Sequence, residues 1–365
     1  MVLERFKVPN DIAVRVTVDT MRPVVEGIFE KLGLPTPDAK QAAEVLLYAD
    51  LHGIDSHGVS NMMQHYERWV GTGDINPTPQ PKVLREAPAT LTLDADRGLG
   101  LVIGPYAMRR AMEKAETCGI GAVAVKNVNH FGACAYHAQL ALERDMIGVV
   151  MTTSGLCTAP TFGAEARLGT NPIGFAAPTR NEVPFLFDAS MSSLPINKVD
   201  LAKRLGRQLA GGCIATADGE PILDDTAVPE KYLILPLGST RELGSHKGYG
   251  LGVMIDILSG ILSGGAPSLQ PAPPVSHHFL AYRVDAFTDL DEFKDDLDRF
   301  LKALRETPPA PGHERVYYAG LPEHEDAIER GQHGVPYHPD VIEWFRDAAT
   351  RHGVPHPFGA ESEAT

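Results

Sequence analysis

Two apolar runs, GAVAVKN at 121–127 and IGVVMTT at 147–153, constrain the fold of this chain more than any other feature. Neither run alternates regularly between apolar and polar residues, which is typical of strands buried inside a protein. A helical pattern lies between the two runs, and another precedes the first. This alternation of strands and helices predicts an α/β fold.

The remaining periodicities predict further elements on either side of these strands. Further strands are expected at 12–18, 90–94, 169–178, 184–190, 232–238 and 277–287. Helices are expected at 19–32, 36–52, 56–70, 105–117, 132–143, 197–209, 246–265, 290–304 and 339–352. Gly98, Gly100 and Gly104 suggest a glycine-rich turn, and 316–325 suggests a strand that runs into a loop.

The net charge and the cysteine content limit the binding partners and the cellular compartment that we expect for this protein. The chain has 33 Lys and Arg against 47 Asp and Glu, a net charge of −14, which argues against a nucleic-acid or membrane-surface protein. The apolar run 251–262 is too short to span a bilayer, and the N-terminus does not resemble a secretory signal. Four scattered cysteines without a CxxC pair fit a reducing cytoplasm.

The stretch HGIDSHG at 52–58 concentrates polar chemistry between two predicted helices. A shared metal is not favoured, because His52 and His57 are five positions apart and Gly53 interrupts any helix between them. The functional hypothesis for this stretch is acid–base catalysis by His57. If Ser56 caps the next helix, the positive end of the helix dipole lowers the pKa of His57. Equally, the stretch could do no more than cap that helix.

Two further side chains follow predicted strands, at the edge of a sheet where ligands gather in α/β proteins. His130 comes just after 121–127, and Asp188 comes near the end of 184–190. Asp188 could orient a histidine or bind a cofactor. The alternatives are a loop histidine bonded to the main chain and an aspartate that caps a turn.

Two basic segments could bind a phosphate group. The segment SHKGYG at 245–250 opens a helix and carries Lys247, but it is not a Walker loop. No GxGxxG fingerprint of a Rossmann fold is present. The basic run 197–209 is interpreted as a solvated helix face.

Five segments in one order resemble the malate/L-lactate dehydrogenase family of the second type, which is unrelated to the Rossmann dehydrogenases. They are ADLHGIDSHGVS, VKNVNHFGA, LGTNPIGFAAP, FDAS and HKGYGLGVMIDILSGILSGG, and the resemblance covers about residues 10–350. The segments at 189–209 and 321–325 look more like the 2,3-diketo-L-gulonate reductase branch than the malate branch.

The resemblance implies an oxidoreductase that uses NAD or NADP on a small 2-oxo or 2-hydroxy acid, and a homodimer. It implies a non-Rossmann NAD(P)-binding mixed-sheet domain at 76–294, and a largely helical substrate and dimerisation domain from 1–75 and 295–365. His57 or His130 would be the proton donor or acceptor, with Asp188 beside them. The implied cofactor contacts are Ser154, Asp188, Ala189, Ser190, Met191, His246, Lys247, Glu323 and His324.

Ser56, Asn61, Lys126 and Thr170 are the expected substrate contacts. Many relatives have an arginine, suited to a substrate carboxylate, where this chain has the neutral Asn61; Arg68 or Lys126 could replace it. Glu323 stands where a glycine is usual, which could crowd the cofactor. The alternatives that stay open are an imine reductase acting on 2-oxo acid derivatives, a metal-dependent hydrolase and a non-catalytic relative.

Overall fold

A seven-stranded sheet forms the centre of the computed structural model, which describes residues 4–267, 269 and 274–359. The described strands are β1 (Val14–Val16), β2 (Lys82–Glu86), β3 (Thr90–Gly98), β4 (Ile120–Val128), β5 (Met146–Thr152), β6 (Ile173–Ala177), β7 (Phe185–Ala189), β8 (Ile214–Ala215), β9 (Leu233–Ile234), β10 (Val275–Arg283) and β11 (Val335–Tyr337). The sheet order is β2-β3-β4-β10-β5-β6-β7. β3 and β4 are parallel and the other neighbours antiparallel, so the predicted α/β fold with a mixed sheet is confirmed.

Helices cover the sheet and build a second layer beside it. They are α1 (Val18–Lys31), α2 (Thr36–Leu51), α3 (Val59–Gly71), α4 (Gly100–Cys118), α5 (Cys134–Gln139), α6 (Ile196–Arg204), α7 (Ser245–Ile255), α8 (Leu290–Arg305), α9 (Leu321–His333) and α10 (Pro339–His352). A π-helical turn, Asp256–Ile261, continues α7. None of the described helices is both long and apolar enough to cross a bilayer.

The strands are apolar because both faces of the sheet are covered. On one face, Val150 and Phe279 belong to the main hydrophobic core, together with residues of α4 and α5. On the other face, Val149 and Met151 pack with Ile255 of α7. Successive residues of β5 therefore point into two different cores, which explains why its sequence does not alternate.

The glycine-rich turn expected at 98–104 is wrong in part, because Gly100 and Gly104 lie inside α4. A Cβ atom at position 100 would come within 2.2 Å of the carbonyl oxygen of Asn129. One at position 104 would come within 2.6 Å of the ring of His137. Gly100 thus allows α4 to pack closely against the loop after β4, and Gly104 allows it to pack closely against α5, so neither glycine is needed for a turn.

Two predicted boundaries differ from the structure. The strand and loop expected at 316–325 give way to α9, which begins at Leu321 after Gly320 in the left-handed region (φ 99°). Glu323 accepts a hydrogen bond from the Gly320 N–H and so caps this helix. In addition, α3 begins at Val59 with Gly58 as its N-cap residue, three residues after the predicted start at 56.

The N- and C-terminal parts of the chain meet in the helical layer. β1 pairs with β11, placing Val14 opposite Tyr337, and residues of α1, α2 and α10 share the main core with the sheet. The predicted boundary between 294 and 295 falls inside α8. The division into two domains itself stays a prediction.

A buried carboxylate closes the loop 52–58 at its base. The Oδ2 atom of Asp50, at the end of α2, accepts hydrogen bonds from the Val59 N–H at 3.1 Å and the Tyr337 hydroxyl at 2.9 Å. A Cβ atom at position 58 would lie 1.7 Å from the Asp50 carboxylate, so only glycine fits there. Desolvation, together with the charge of Asp55, raises the pKa of Asp50 to about 7.

Arg330 of α9 holds the same loop from the outside. It donates one hydrogen bond to the carbonyl oxygen of Asp50 at 2.6 Å and forms a bidentate ion pair with Asp55. The Arg330 side chain is only 5% exposed and that of Asp55 16%. We call Asp50, Asp55, Arg330 and Tyr337 the loop clasp.

We expect Arg330→Met to lower the free energy of unfolding by about 3–5 kcal/mol, because it leaves the Asp55 charge and a buried carbonyl without their partner. Urea titration followed by circular dichroism measures the change. The control is Arg299→Met, which removes an exposed ion pair with Asp296 on α8 and should leave stability nearly unchanged. Equal stability of the two variants would refute a stabilising role for the clasp.

The raised pKa of Asp50 predicts a pH effect of definite sign. Between about pH 4 and pH 7 the unfolded chain has lost this proton and the folded protein keeps it, so Asp50 makes wild-type stability fall as pH rises. Asp50→Asn removes this contribution. Its stability relative to the wild type should therefore improve with pH in that window, by at most about 1.4 kcal/mol per pH unit. Urea titrations at pH 5 and pH 8 test this, and a constant difference would contradict it.

Candidate active site

One cleft of about 520 Å³ gathers residues that are far apart in the sequence. Its walls come from the loop 52–58, the end of β7, the start of α6 and the start of α9. The sequence-predicted site residues that line it are Ser56, His57, Thr170, Asp188, Ala189, Ser190 and Glu323. The sheet edge after β7 and the clasped loop thus form opposite walls of one cavity.

His57 lies in the turn before α3 and not in the first turn of that helix. Ser56 does not cap the helix; its hydroxyl instead forms a 2.8 Å hydrogen bond with Nδ1 of His57. Burial, together with the positive charge of Lys198, lowers the pKa of His57 to about 4. The imidazole is therefore neutral at pH 7. The direction of the predicted shift is confirmed, but its cause is desolvation and a nearby cation.

His130 lies behind His57, and the two rings stack with centroids 5.6 Å apart. The Gly132 N–H and the Tyr66 hydroxyl both contact Nδ1 of His130, at 3.2 and 2.7 Å. A main-chain N–H can only donate, so Nδ1 is the acceptor and the proton is on Nε2. Burial holds the pKa of His130 well below its usual value. The structure brings the two predicted histidines together, and His57 is the one that lines the cleft.

Asp188 lies on the wall formed by β7, with its side chain open to the cleft. Its Oδ2 atom accepts a 2.8 Å hydrogen bond from the Ala135 N–H at the start of α5. Ser56 and Tyr66 contact the two histidine rings in the described chain, and the orientation of a histidine by Asp188 stays a prediction. The surrounding protein desolvates the carboxylate and raises the pKa of Asp188 to about 6, with a further contribution from the charge of Glu323.

The remaining expected cofactor contacts lie outside this cleft. The Ser154 hydroxyl accepts a 2.7 Å hydrogen bond from the Thr170 N–H, so it lies directly behind the cleft wall and lines a second cavity of about 290 Å³. Met191 is buried beneath the same wall. His246 and Lys247 are exposed in the first turn of α7, and His324 is exposed on α9. Their contact with a dinucleotide stays a prediction.

The residues expected to hold a substrate carboxylate do not reach the cleft. Asn61 is buried and donates a 3.0 Å hydrogen bond to the carbonyl oxygen of Asn197, so it faces α6. Lys126 lines the second cavity. Arg68 is exposed on α3 and contacts His65.

Lys198 is the cation that sequence reasoning missed. The run 197–209 was expected to be a solvated helix face, but Lys198 lines the cleft from the first turn of α6. The signal was its spacing: Leu201 and Ala202, three and four residues later, are both buried. Helical periodicity therefore places Lys198 on the inward side of α6, away from the exposed Lys203.

Known proteins share this whole architecture. The family model described as malate/L-lactate dehydrogenase matches residues 16–346. A malate dehydrogenase of Pyrococcus abyssi is 40% identical over 93% of this chain and 96% of its own length. An L-sulfolactate dehydrogenase of Methanocaldococcus jannaschii is 36% identical over 80% of this chain and 85% of its own length.

Solved structures agree with these sequence relatives. The structure of malate dehydrogenase from Pyrococcus horikoshii OT3 superposes with a TM-score of 0.88 at 35% identity, covering 96% of this chain and 99% of the other. These relatives carry the names malate and sulfolactate dehydrogenase, and so give no support to the expected 2,3-diketo-L-gulonate reductase branch. The chain belongs to the malate/L-lactate dehydrogenase family and is an oxidoreductase.

Proposed function

We propose that this protein interconverts small 2-hydroxy acids and 2-oxo acids with a nicotinamide cofactor. The observation that carries the proposal is His57, a neutral imidazole on the wall of a ligand-sized cleft. The names of two relatives support the substrate class, because malate and sulfolactate are both 2-hydroxy acids.

The cleft residues fit NAD or NADP. A volume of about 520 Å³ is within the range of small-molecule sites. Ala189 and Ser190 bring main-chain polar groups from the end of β7, and Thr170 adds a hydroxyl beside them, so these three residues would hold the nicotinamide end. When bound, the dinucleotide donates or accepts the hydride. Glu323 caps α9 with its carboxylate, which ties that charge to its own helix.

His57 is the proposed proton carrier. In the oxidation of a 2-hydroxy acid it takes the proton of the hydroxyl group, and in the reverse direction it returns a proton to the carbonyl oxygen. The Ser56 hydroxyl holds Nδ1, which leaves Nε2 for the substrate oxygen. A neutral imidazole is the form that a base needs, and burial maintains this form at pH 7. His130 stacks behind the ring and limits its movement.

The sequence left open three other functions, which are a metal-dependent hydrolase, a non-catalytic relative and an imine reductase. Membership of a dehydrogenase family removes the metal-dependent hydrolase and the non-catalytic relative. No described residue of the cleft favours an imine over a 2-oxo acid. A cyclic imine is therefore included with the 2-oxo acids in the assay below, and exclusive reduction of the imine would overturn the proposed substrate class.

We expect His57→Gln to lower kcat about 10²–10⁴-fold with 2-oxo acids, because the variant lacks the group that exchanges a proton with the substrate oxygen. The dissociation constant for NADH or NADPH should change little, since the variant keeps the shape of the wall. Loss of cofactor absorbance measures turnover with pyruvate and oxaloacetate, and cofactor fluorescence measures binding.

Two histidine variants serve as comparisons. His65→Gln, which changes a ring stacked on Trp69 outside the cleft, should retain wild-type turnover. His130→Gln should reduce turnover less than His57→Gln does, because it acts through the neighbouring ring. Unchanged turnover in His57→Gln, with loss in His130→Gln, would assign the proton transfer to His130.

We also infer a homodimer, as the family resemblance implies. An apolar stripe on α7 and its π-helical continuation supports this: Leu251, Met254, Ile257 and Ile261 are 41%, 39%, 49% and 53% exposed. Their spacing of three, three and four residues places them on one helix face. An exposed apolar stripe of this kind is typical of a surface that a second copy covers.

The double variant Ile257→Glu/Ile261→Glu should be monomeric in sedimentation velocity runs, because two charges would be buried in the contact. The single variant Leu223→Glu, at a leucine elsewhere that is more exposed (65%), should sediment as the wild type does. If the double variant keeps the wild-type sedimentation coefficient, this stripe is not the contact surface.

A reducing cytoplasm is the proposed location. The cysteines Cys118, Cys134, Cys157 and Cys213 are all free thiols in the structure. Cys134 is fully buried against the main core, where it packs as a small apolar residue. Free thiols persist in compartments that keep cysteine reduced.

A further inference from the structure

We propose that Lys198 binds the carboxylate group of the substrate. The inference rests on the proposed function, since it concerns the acid that the cleft receives. It assigns to one side chain the selection of acids over esters and amides.

The position of Lys198 points its charge into the cleft. Pro195 precedes the first turn of α6, and both Pro195 and Lys198 line the cavity. The ammonium group lies 5.6 Å from the ring centroid of Phe6, which lines the same cavity and holds the lysine by a cation–π contact. Lys198 is the one lysine or arginine among the described residues of this wall.

The charge of Lys198 is oriented but not neutralised. Across the described part of the chain it forms no ion pair, although Asp188 and Glu323 share the cleft. Each of those carboxylates has a donor of its own: Asp188 accepts from the Ala135 N–H, and Glu323 from the Gly320 N–H. The ammonium group is thus available for an incoming anion.

The helix itself adds to the positive potential at this point. A cation in the first turn lies at the positive end of the helix dipole, where positive charge is unfavourable and an anion is favoured. Desolvation in the cleft lowers the pKa of Lys198, whereas Asp188 raises it. A bound carboxylate would relieve both the dipole repulsion and the desolvation of the ammonium group.

Lys198 lies near enough to His57 for its charge to affect the imidazole. In a 2-oxo acid the carboxylate is bonded directly to the carbonyl carbon that is reduced. Holding the carboxylate at Lys198 would therefore keep the reacting oxygen within the cleft that His57 also lines. An ammonium group is a point charge without the planar fork of arginine, so it accepts a carboxylate in several orientations.

The test compares Lys198→Met with the control Lys203→Met. Lys203 is an exposed lysine on the same helix, five residues further along, and it contacts the ring of Tyr232. With wild-type protein and Lys203→Met, KM for pyruvate should be equal; with Lys198→Met it should rise about 10–100-fold. KM for methyl pyruvate, which carries no charge, should be the same in all three proteins. Lys198→Arg should recover part of the loss.

Two binding measurements complete the test. Calorimetry with oxamate, on protein saturated with NADH, should show about 10–100-fold weaker binding to Lys198→Met. Nuclear magnetic resonance of labelled histidines, with His57→Gln for assignment, should show a higher pKa for His57 in Lys198→Met. Other ionisable groups also surround Lys198, namely Asp188, Glu323 and Cys213. The resonance of the His57 ring reports the pKa of His57 itself and not the titration of these groups.

The outcomes are distinct. Unchanged KM for pyruvate and unchanged oxamate binding in Lys198→Met would overturn the proposal. Weaker NADH binding with unchanged oxamate binding would assign the ammonium group to a cofactor phosphate and would overturn it as well. If the wild type reduces no 2-oxo acid but binds oxamate through Lys198, the proposed function fails and the carboxylate site stands.

Discussion

The structure depends on the arginine of α9 that fixes the loop 52–58. Arg330 contacts a side chain within this loop, Asp55, and the main chain at its beginning, Asp50. Asp50 in turn binds the first amide after the loop. Because these groups are buried, their hydrogen bonds are costly to break, and the position of His57 follows from them. A segment from the C-terminal part of the chain thus determines where an N-terminal residue lies.

Burial in the cleft shifts the pKa values of an acidic and a basic side chain in opposite directions. Desolvation raises the pKa of Asp188 and lowers that of His57, so at neutral pH the imidazole is uncharged. Lys198 acts on both, favouring the ionised carboxylate and disfavouring the imidazolium. Lys198, the proposed substrate anchor, therefore also affects His57, the proposed proton carrier. A bound anion at Lys198 would raise the proton affinity of His57.

Local patterns were sufficient where neighbouring residues decide the outcome. The unbroken apolar runs identified β4 and β5, and the position of His130 and Asp188 after or at the end of strands placed them near the cleft. The prediction of a strand and a loop at 316–325 is wrong because Gly320 and Pro322 are typical of loops, although here they lie at the start of α9. Lys198 was missed because a basic helix is usually solvated, and its inward face depends on what packs against α6.

The sequence by itself determined the α/β class, the family and the residue types of the site, since these follow from periodicity and from segments in a fixed order. The tertiary structure alone decided which of two histidines lines the cleft, where Asn61 points and which lysine lines the cleft. Those questions depend on contacts between residues more than a hundred positions apart, such as Asn61 with Asn197 and Asp55 with Arg330. Local sequence carries no record of such distances, because burial and charge act through space and not along the chain.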